Sequence, residues 1–76
     1  MDVEMIFRDP RFPDVQIRNS GGATFNIWTR GEVGDSYHTK DGWTNTDCFT
    51  RYGTANDGNT PEEAKFAAQE HFDEEA

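Results

Sequence analysis

The chain contains no leucine, which is otherwise one of the commonest residues of globular proteins. Its core must therefore come from Val, Ile, Met, Ala and the aromatic residues, namely six Phe, two Tyr and two Trp. Branched and aromatic side chains pack well on a pleated surface and favour strands over helices. We therefore expect a β-sheet to form most of the fold.

The length limits the number of domains and the kind of site that the chain can build. Its 76 residues predict one domain over 1–76, mainly β over 1–56 and helical over 60–74. A domain of this size buries only about 60% of the surface that its unfolded chain exposes. We therefore expect no deep catalytic cavity and no enzymatic activity.

Alternating apolar and polar residues predict short strands separated by turn signals. A first strand carries Val3, Met5 and Phe7, and further strands are predicted over 14–18, 23–30, 35–39 and 43–52. Asn19-Ser20-Gly21-Gly22 and Lys40-Asp41-Gly42 supply the residues that tight hairpins need. The last predicted strand has mixed faces, so we expect it to be irregular or bulged. These features predict a meander of three to five antiparallel strands.

Residues 60–73 carry the best-defined helix signal in the chain. Thr60 can cap a helix, Pro61 suits the first helical position, and Glu63 completes a capping box. The helix is predicted from Pro61 to about Asp73, with Phe66 on its outer side. Its inner stripe is Ala64, Ala67, Ala68, His71 and Phe72. The expected fold class is α+β, a small antiparallel sheet with one C-terminal amphipathic helix packed on it.

The net charge of −8 is concentrated at the C-terminal end. Residues 57–76 contain seven acids and one base, a charge of −6, whereas residues 1–56 contain eight acids and six bases, a charge of −2. This distribution disfavours direct binding to nucleic acid or to an anionic membrane and favours a basic protein partner. A solubilising charged surface explains the composition equally well.

Candidate chemical groups do not form a convincing catalytic or metal-binding pattern. His38 and His71 lie far apart in sequence, and Ser36 has only His38 nearby, with no third orienting residue. The segment 56–59 resembles part of a calcium loop but lacks three of the required oxygen ligands. We predict no catalytic residue, metal or cofactor, and we interpret His71 as a partly buried packing residue.

The cysteine content and the first residues indicate the compartment. Cys48 is the only cysteine, so it can form neither an internal disulfide nor a Cys-based zinc site. Residues 1–8 lack the features of an export signal, and no apolar stretch is long enough to span a membrane. We expect a soluble cytoplasmic protein, located in the host cytoplasm if a phage encodes it.

Aromatic and arginine residues of the predicted sheet allow a second interpretation. Such residues can stack on and grip single-stranded nucleic acid. Given the charge, we instead expect the rings to fill the core in place of leucine. The residues are Trp28, Tyr37, Trp43 and Tyr52, with Arg18, Arg30 and Arg51.

Two resemblances bear on function. Gly58-Asn59-Thr60-Pro61-Glu62-Glu63-Ala64, continued by Ala67, Ala68 and Glu70, resembles the helix start Gly-x-Thr-x-Glu-Glu-Ala of HicB-type antitoxins. That family's Phe-Pro-Asp element is matched by residues 12–14, far upstream of the helix. In size, charge and layout, the chain is similar to small inhibitors made by phages and mobile elements, including anti-CRISPR proteins. Both resemblances imply an acidic domain that covers the basic, nucleic-acid-handling surface of a partner.

The predicted function is therefore non-enzymatic inhibition of a basic host protein or nucleoprotein complex, in which carboxylates imitate phosphate charge. Alternatives are a HicB-like antitoxin that neutralises a basic toxin and self-associates as a homodimer, and a structural or assembly protein of a phage that binds through the sheet edge or the Trp28 face. The predicted partner-binding residues are Glu62, Glu63, Phe66, Glu70, Asp73, Glu74 and Glu75.

Overall fold

A computed structural model describes residues 4–31, 39–53 and 58–76. Within these ranges it contains five antiparallel strands and one helix, which confirms the expected fold class. The strands are β1 (Met5–Phe7), β2 (Val15–Asn19), β3 (Thr24–Arg30), β4 (Thr39–Lys40) and β5 (Trp43–Thr50), and the helix is α1 (Pro61–Glu75). The helix continues two residues beyond the predicted end, whereas β5 stops two residues earlier than predicted.

The order of the strands departs from a simple meander at β4. The sheet runs β1-β2-β3-β5-β4, so β5 lies beside β3 and β4 forms the outer edge. Asp41 (φ 55°) and Gly42 (φ 83°) form the two-residue turn that pairs Lys40 with Trp43. Since the other edge of β5 is occupied by β3, this turn leaves β4 only the outer position. The predicted segment 35–38 and the connection at 32–34 lie outside the described residues.

The hairpin between β2 and β3 is held by the buried side chain of Asn19. Its Nδ2 donates to the carbonyls of Gly22 and Thr24, both at 3.0 Å, and its Oδ1 accepts from the Gly21 amide at 2.7 Å. Gly21 has φ 98°, a conformation that other residues rarely adopt. The predicted turn is confirmed, and the Asn19 side chain closes it with three hydrogen bonds.

A bulge interrupts the pairing of β3 with β5. Ile27 pairs with Asp47, but Trp28 pairs with Asn45, which leaves Thr46 as an extra residue on β5. This irregularity confirms the expectation drawn from the mixed faces of the last strand. It increases the local twist of the sheet at the middle of its two longest strands.

The core lies between one face of the sheet and the helix. Its fully buried members are Ile17, Phe25, Ala64, Ala67, Ala68 and Phe72, and partly buried side chains around them include Phe12 and Phe49. Phe25 stacks on Phe49 with ring centroids 5.0 Å apart, and His71 stacks on the same ring at 4.4 Å. The predicted inner stripe of the helix is confirmed, including the partly buried His71.

The chain reaches the helix through a close contact with the β2–β3 turn. The Asn59 amide donates to the Gly21 carbonyl at 2.7 Å, and the Asn59 side chain donates to the carbonyls of Gly22 and Arg51, both at 2.9 Å. A Cβ on Gly58 would lie 2.6 Å from the Gly21 carbonyl oxygen. Only glycine therefore fits at residue 58 without a shift of backbone, and this contact fixes where the helix begins.

Candidate partner-binding surface

The outward side of the helix carries all the predicted partner-binding residues. Glu62, Phe66, Glu70, Asp73, Glu74 and Glu75 are exposed, and Glu63 is partly exposed. They do not form a uniform row of free carboxylates, because neighbouring elements contribute two arginines to this surface. The role of each residue therefore depends on the groups that it contacts.

Glu63 serves the start of the helix. Its side chain accepts from the Thr60 amide at 2.8 Å, and the Thr60 hydroxyl accepts from the Glu63 amide at 3.2 Å. Thr60 and Glu63 thus form the predicted capping box. The Glu63 carboxyl also packs against Gly53, since a Cβ on Gly53 would lie only 2.6 Å from it. The negative charge of Glu63 interacts favourably with the dipole at the start of the helix. The position of this carboxylate is therefore already set by contacts within the chain.

Arg51 joins the end of β5 to two acids of the helix. Its Nη1 donates to Glu70, and its Nη2 lies 3.7 Å from a carboxylate oxygen of Glu74. Its guanidinium also lies over the Phe49 ring, 5.7 Å from the centroid. One arginine is thus shared by two carboxylates, and this cluster keeps a formal charge of −1.

Arg11 forms the second shared contact, also in the C-terminal half of the helix. Its Nη2 lies 2.8 Å from Asp9 and 2.5 Å from Asp73. Asp9 is buried and also accepts from the Arg11 amide at 2.9 Å and from the Gln69 side chain at 3.1 Å. Hydrogen bonds from the Arg11 side chain, followed by that from its amide, hold the pKa of Asp9 well below its usual range. Hydrogen bonds from Arg11 and Gln69 also lower the pKa of Asp73.

These contacts reduce the negative charge of the surface without cancelling it. Seven carboxylates stand against three bases, Arg11, Arg51 and Lys65, which leaves four negative charges. Glu62 has no ion-pair or hydrogen-bond partner among the described residues. The carboxylates are Asp9, Glu62, Glu63, Glu70, Asp73, Glu74 and Glu75.

A groove of about 390 Å³ opens beside the first turns of the helix. Two exposed rings line it, Phe66 on the helix at 70% exposure and Tyr52 beyond β5 at 64%. Ala67 and Gly53 also line the groove, and carboxylates of the first helical turn stand at its rim. The arrangement offers apolar contact area and negative charge at the same place.

Sequence reasoning found one ring of this groove and missed the other. Phe66 was predicted on the outer side of the helix, and its exposure confirms that placement. Tyr52 was placed on the last strand, but β5 ends at Thr50 and leaves Tyr52 facing solvent. Gly53, which directly follows Tyr52, is the one local signal that the strand ends nearby.

The opposite face of the sheet carries the tryptophans, and here the expectation was wrong. Trp28 and Trp43 lie outside the buried core, on strand positions that alternate with the core residues Phe25 and Ile27. The guanidinium of Arg18 lies 4.2 Å from the Trp28 centroid, and that of Arg30 lies 5.1 Å from the Trp43 centroid. These rings pack against arginines, and phenylalanines and alanines fill the core instead.

The described residues bring no metal-binding set of side chains together. Within 4–31, 39–53 and 58–76, no group of three or more His, Cys, Asp or Glu residues is placed to hold a metal ion. Cys48 is exposed, and His71 packs on Phe49. Ser36 and His38 lie outside the described residues. Across the same ranges, no helix has the length and apolar character needed to cross a membrane.

Comparisons with protein-family models, with curated proteins and with solved structures give no match.

Proposed function

We propose that this chain is a non-enzymatic inhibitor that binds a basic, nucleic-acid-handling protein, in the manner of anti-CRISPR proteins, through the outer surface of α1. The observation that carries the proposal is the exposure of Phe66, at 70%, within a surface that keeps an excess of carboxylates. Aromatic residues are frequent anchors of protein interfaces, and this ring stands among carboxylates.

The charge of the surface supports a basic protein as the partner. Carboxylates in excess attract Lys and Arg, accelerate the encounter and repel nucleic acid. The two arginine clusters hold Asp73, Glu70 and Glu74 in fixed positions while each keeps one negative charge. Fixed carboxylates lose little side-chain entropy on binding, which suits groups that stand in for the phosphates of a bound nucleic acid.

Phe66 and the carboxylates act on different steps of binding. Long-range attraction by the carboxylates raises the association rate and weakens with added salt. Burial of Phe66 in a pocket of the partner slows dissociation, because the ring leaves water only after the two surfaces meet. The inhibitor then blocks access of nucleic acid to the partner without any covalent step.

The test is affinity capture from a lysate of the natural host, followed by binding measurements on the captured protein. We expect a basic protein that added nucleic acid displaces. Phe66→Ala should weaken its binding by about thirtyfold, the loss typical of an interface anchor. Ile6→Ala is the matched control, since Ile6 is also an exposed apolar residue, at 43%, but lies on β1.

Charge reversal tests the second element of the proposal. Glu62→Lys combined with Glu75→Lys changes two exposed acids that lie outside both arginine clusters, so circular dichroism should show an intact fold. We expect loss of binding to the captured protein. Unchanged affinity in this variant and in Phe66→Ala would exclude the helix as the contact surface and overturn the proposal.

A further inference from the structure

Three arginines of this chain share one local arrangement. Each guanidinium lies over an aromatic ring and also has a carboxylate nearby. For Arg18 and Arg30, the nearest carboxylate contact is 3.9 Å long in each case. The three sets are Arg18 with Trp28 and Glu4, Arg30 with Trp43 and Asp14, and Arg51 with Phe49 and Glu70.

Phe66 has the ring and the carboxylate of this arrangement without the arginine. Glu62 lies one helical turn before Phe66, on the same side of the helix. Tyr52 supplies a second exposed ring across the groove. Among the described residues, no guanidinium stacks on Phe66, and Glu62 makes no ion pair.

We propose that the groove between Phe66 and Tyr52 receives an arginine side chain of the partner protein, with its guanidinium stacked on Phe66 and paired with Glu62. The inference rests on the proposed function and names the chemistry that this surface recognises. Arg51 and Glu70 also line the groove, but they pair with each other, and Arg51 lies over Phe49 and not over Phe66. Glu62 is therefore the carboxylate that an incoming cation meets without displacing an existing contact.

The groove favours arginine over lysine for physical reasons. A guanidinium is planar and weakly hydrated, so it can stack on a ring and leave water at small cost. The ammonium of lysine is a strongly hydrated point charge that cannot stack in this way. The aliphatic stem of arginine can also lie along the apolar walls formed by Tyr52 and Ala67.

The experiment compares an oligoarginine peptide with an oligolysine peptide of equal length and charge. Binding to the full chain is measured by calorimetry, and the contact is located by NMR from the ring resonances of Phe66 and Tyr52. We expect the arginine peptide to bind about two- to fivefold more tightly, the range of a cation–π contact at an exposed site. It should also shift both sets of ring resonances.

Variants separate this contact from general charge attraction. Phe66→Ala should remove the preference for arginine, and Glu62→Gln should weaken binding of the arginine peptide. Asp41→Asn is the charge-matched control, because Asp41 is an exposed acid in the β4–β5 turn, away from the groove. Asp41→Asn should leave the preference unchanged.

The outcomes distinguish the inference from the proposed function. Equal binding of the two peptides, or a preference that survives Phe66→Ala, would overturn the arginine contact. The proposed function would still stand in that case if Phe66→Ala weakened binding of the captured host protein. If neither Phe66→Ala nor the double charge reversal weakened binding of the captured protein, the proposed function itself would be overturned.

Discussion

At the residue scale, Asp9 shows how a buried carboxylate is kept charged. It accepts three hydrogen bonds from the amide, Nε and Nη2 of Arg11 and a fourth from Gln69. Because Arg11 also contacts Asp73, this one side chain fastens the segment before β2 to the last turns of the helix. The contact is thus structural, and its loss should be visible in stability.

Asp9→Asn tests this contact through its dependence on pH. A pKa that folding lowers contributes stability above the unfolded value of about 3.9, and that contribution is lost as the pH falls toward the folded value. We expect the variant to be less stable than the wild type at neutral pH and the difference to shrink below about pH 4. Urea unfolding followed by circular dichroism across this range measures it. Asp41→Asn serves as control. A stability difference between Asp9→Asn and the wild type that does not change with pH would contradict a lowered pKa of Asp9.

Gly58 makes a second prediction at the residue scale. Gly58→Ala places a Cβ against the Gly21 carbonyl oxygen, a backbone atom that no side-chain rotation can move away. We expect a loss of about 1–3 kcal/mol in the free energy of unfolding, the usual cost of overpacking. Gly22→Ala is the matched control, because nothing lies within 4 Å of its Cβ position. Equal stability of the two variants in urea unfolding would show that the contact is looser than described.

At the scale of elements, the capping box should account for a measurable part of helix stability. Thr60→Ala removes the oxygen that accepts from the Glu63 amide and should cost about 1 kcal/mol. Thr60→Ser keeps that oxygen and should preserve most of the stability. Chemical unfolding of the three proteins gives the comparison, and a Thr60→Ser variant as unstable as Thr60→Ala would indicate that the methyl group matters more than the cap.

The helix was predictable because all its signals are local. Thr60, Pro61 and Glu63 lie within four residues of one another, and the inner stripe follows from the helical period alone. The order of the strands depends on pairing between distant residues, so the outer position of β4 could not be predicted from alternation. The same limit explains why the exposed acids and Phe66 were found but the contacts of Arg51 with the helix were not.

The tryptophan face shows a different limit of sequence reasoning. Alternation over 23–30 places Trp28 on the side opposite Phe25 and Ile27, whereas the absence of leucine favours a core that includes the tryptophans and tyrosines. The structure instead fills the core with phenylalanines, Ile17 and the alanines of the helix. Composition thus predicted the class of fold, and the periodic pattern was the better guide to the faces.

At the scale of the whole molecule, both faces of the sheet carry arginines stacked on rings, yet the net charge is −8. Arg18 and Arg30 each have an acid within 3.9 Å, so their charge is partly balanced before any ligand arrives. The Nε1 of Trp28 is buried and has no hydrogen-bond partner among the described residues, so this N–H is not presented to a ligand at the surface. We therefore expect the tryptophan face to lack the positive potential that a nucleic-acid surface needs.

This balance of charge predicts the response to a single-stranded oligonucleotide. Titration with oligo(dT) should leave the tryptophan fluorescence unchanged at low salt, where any electrostatic binding would be strongest. Trp28→Phe and Trp43→Phe identify the contribution of each ring to the fluorescence. A parallel titration with oligoarginine checks that the same protein sample binds a charged ligand. A fluorescence change with oligo(dT) that disappears as salt is added would place nucleic acid on the arginine-stacked tryptophans, since release of counterions makes such binding salt-sensitive.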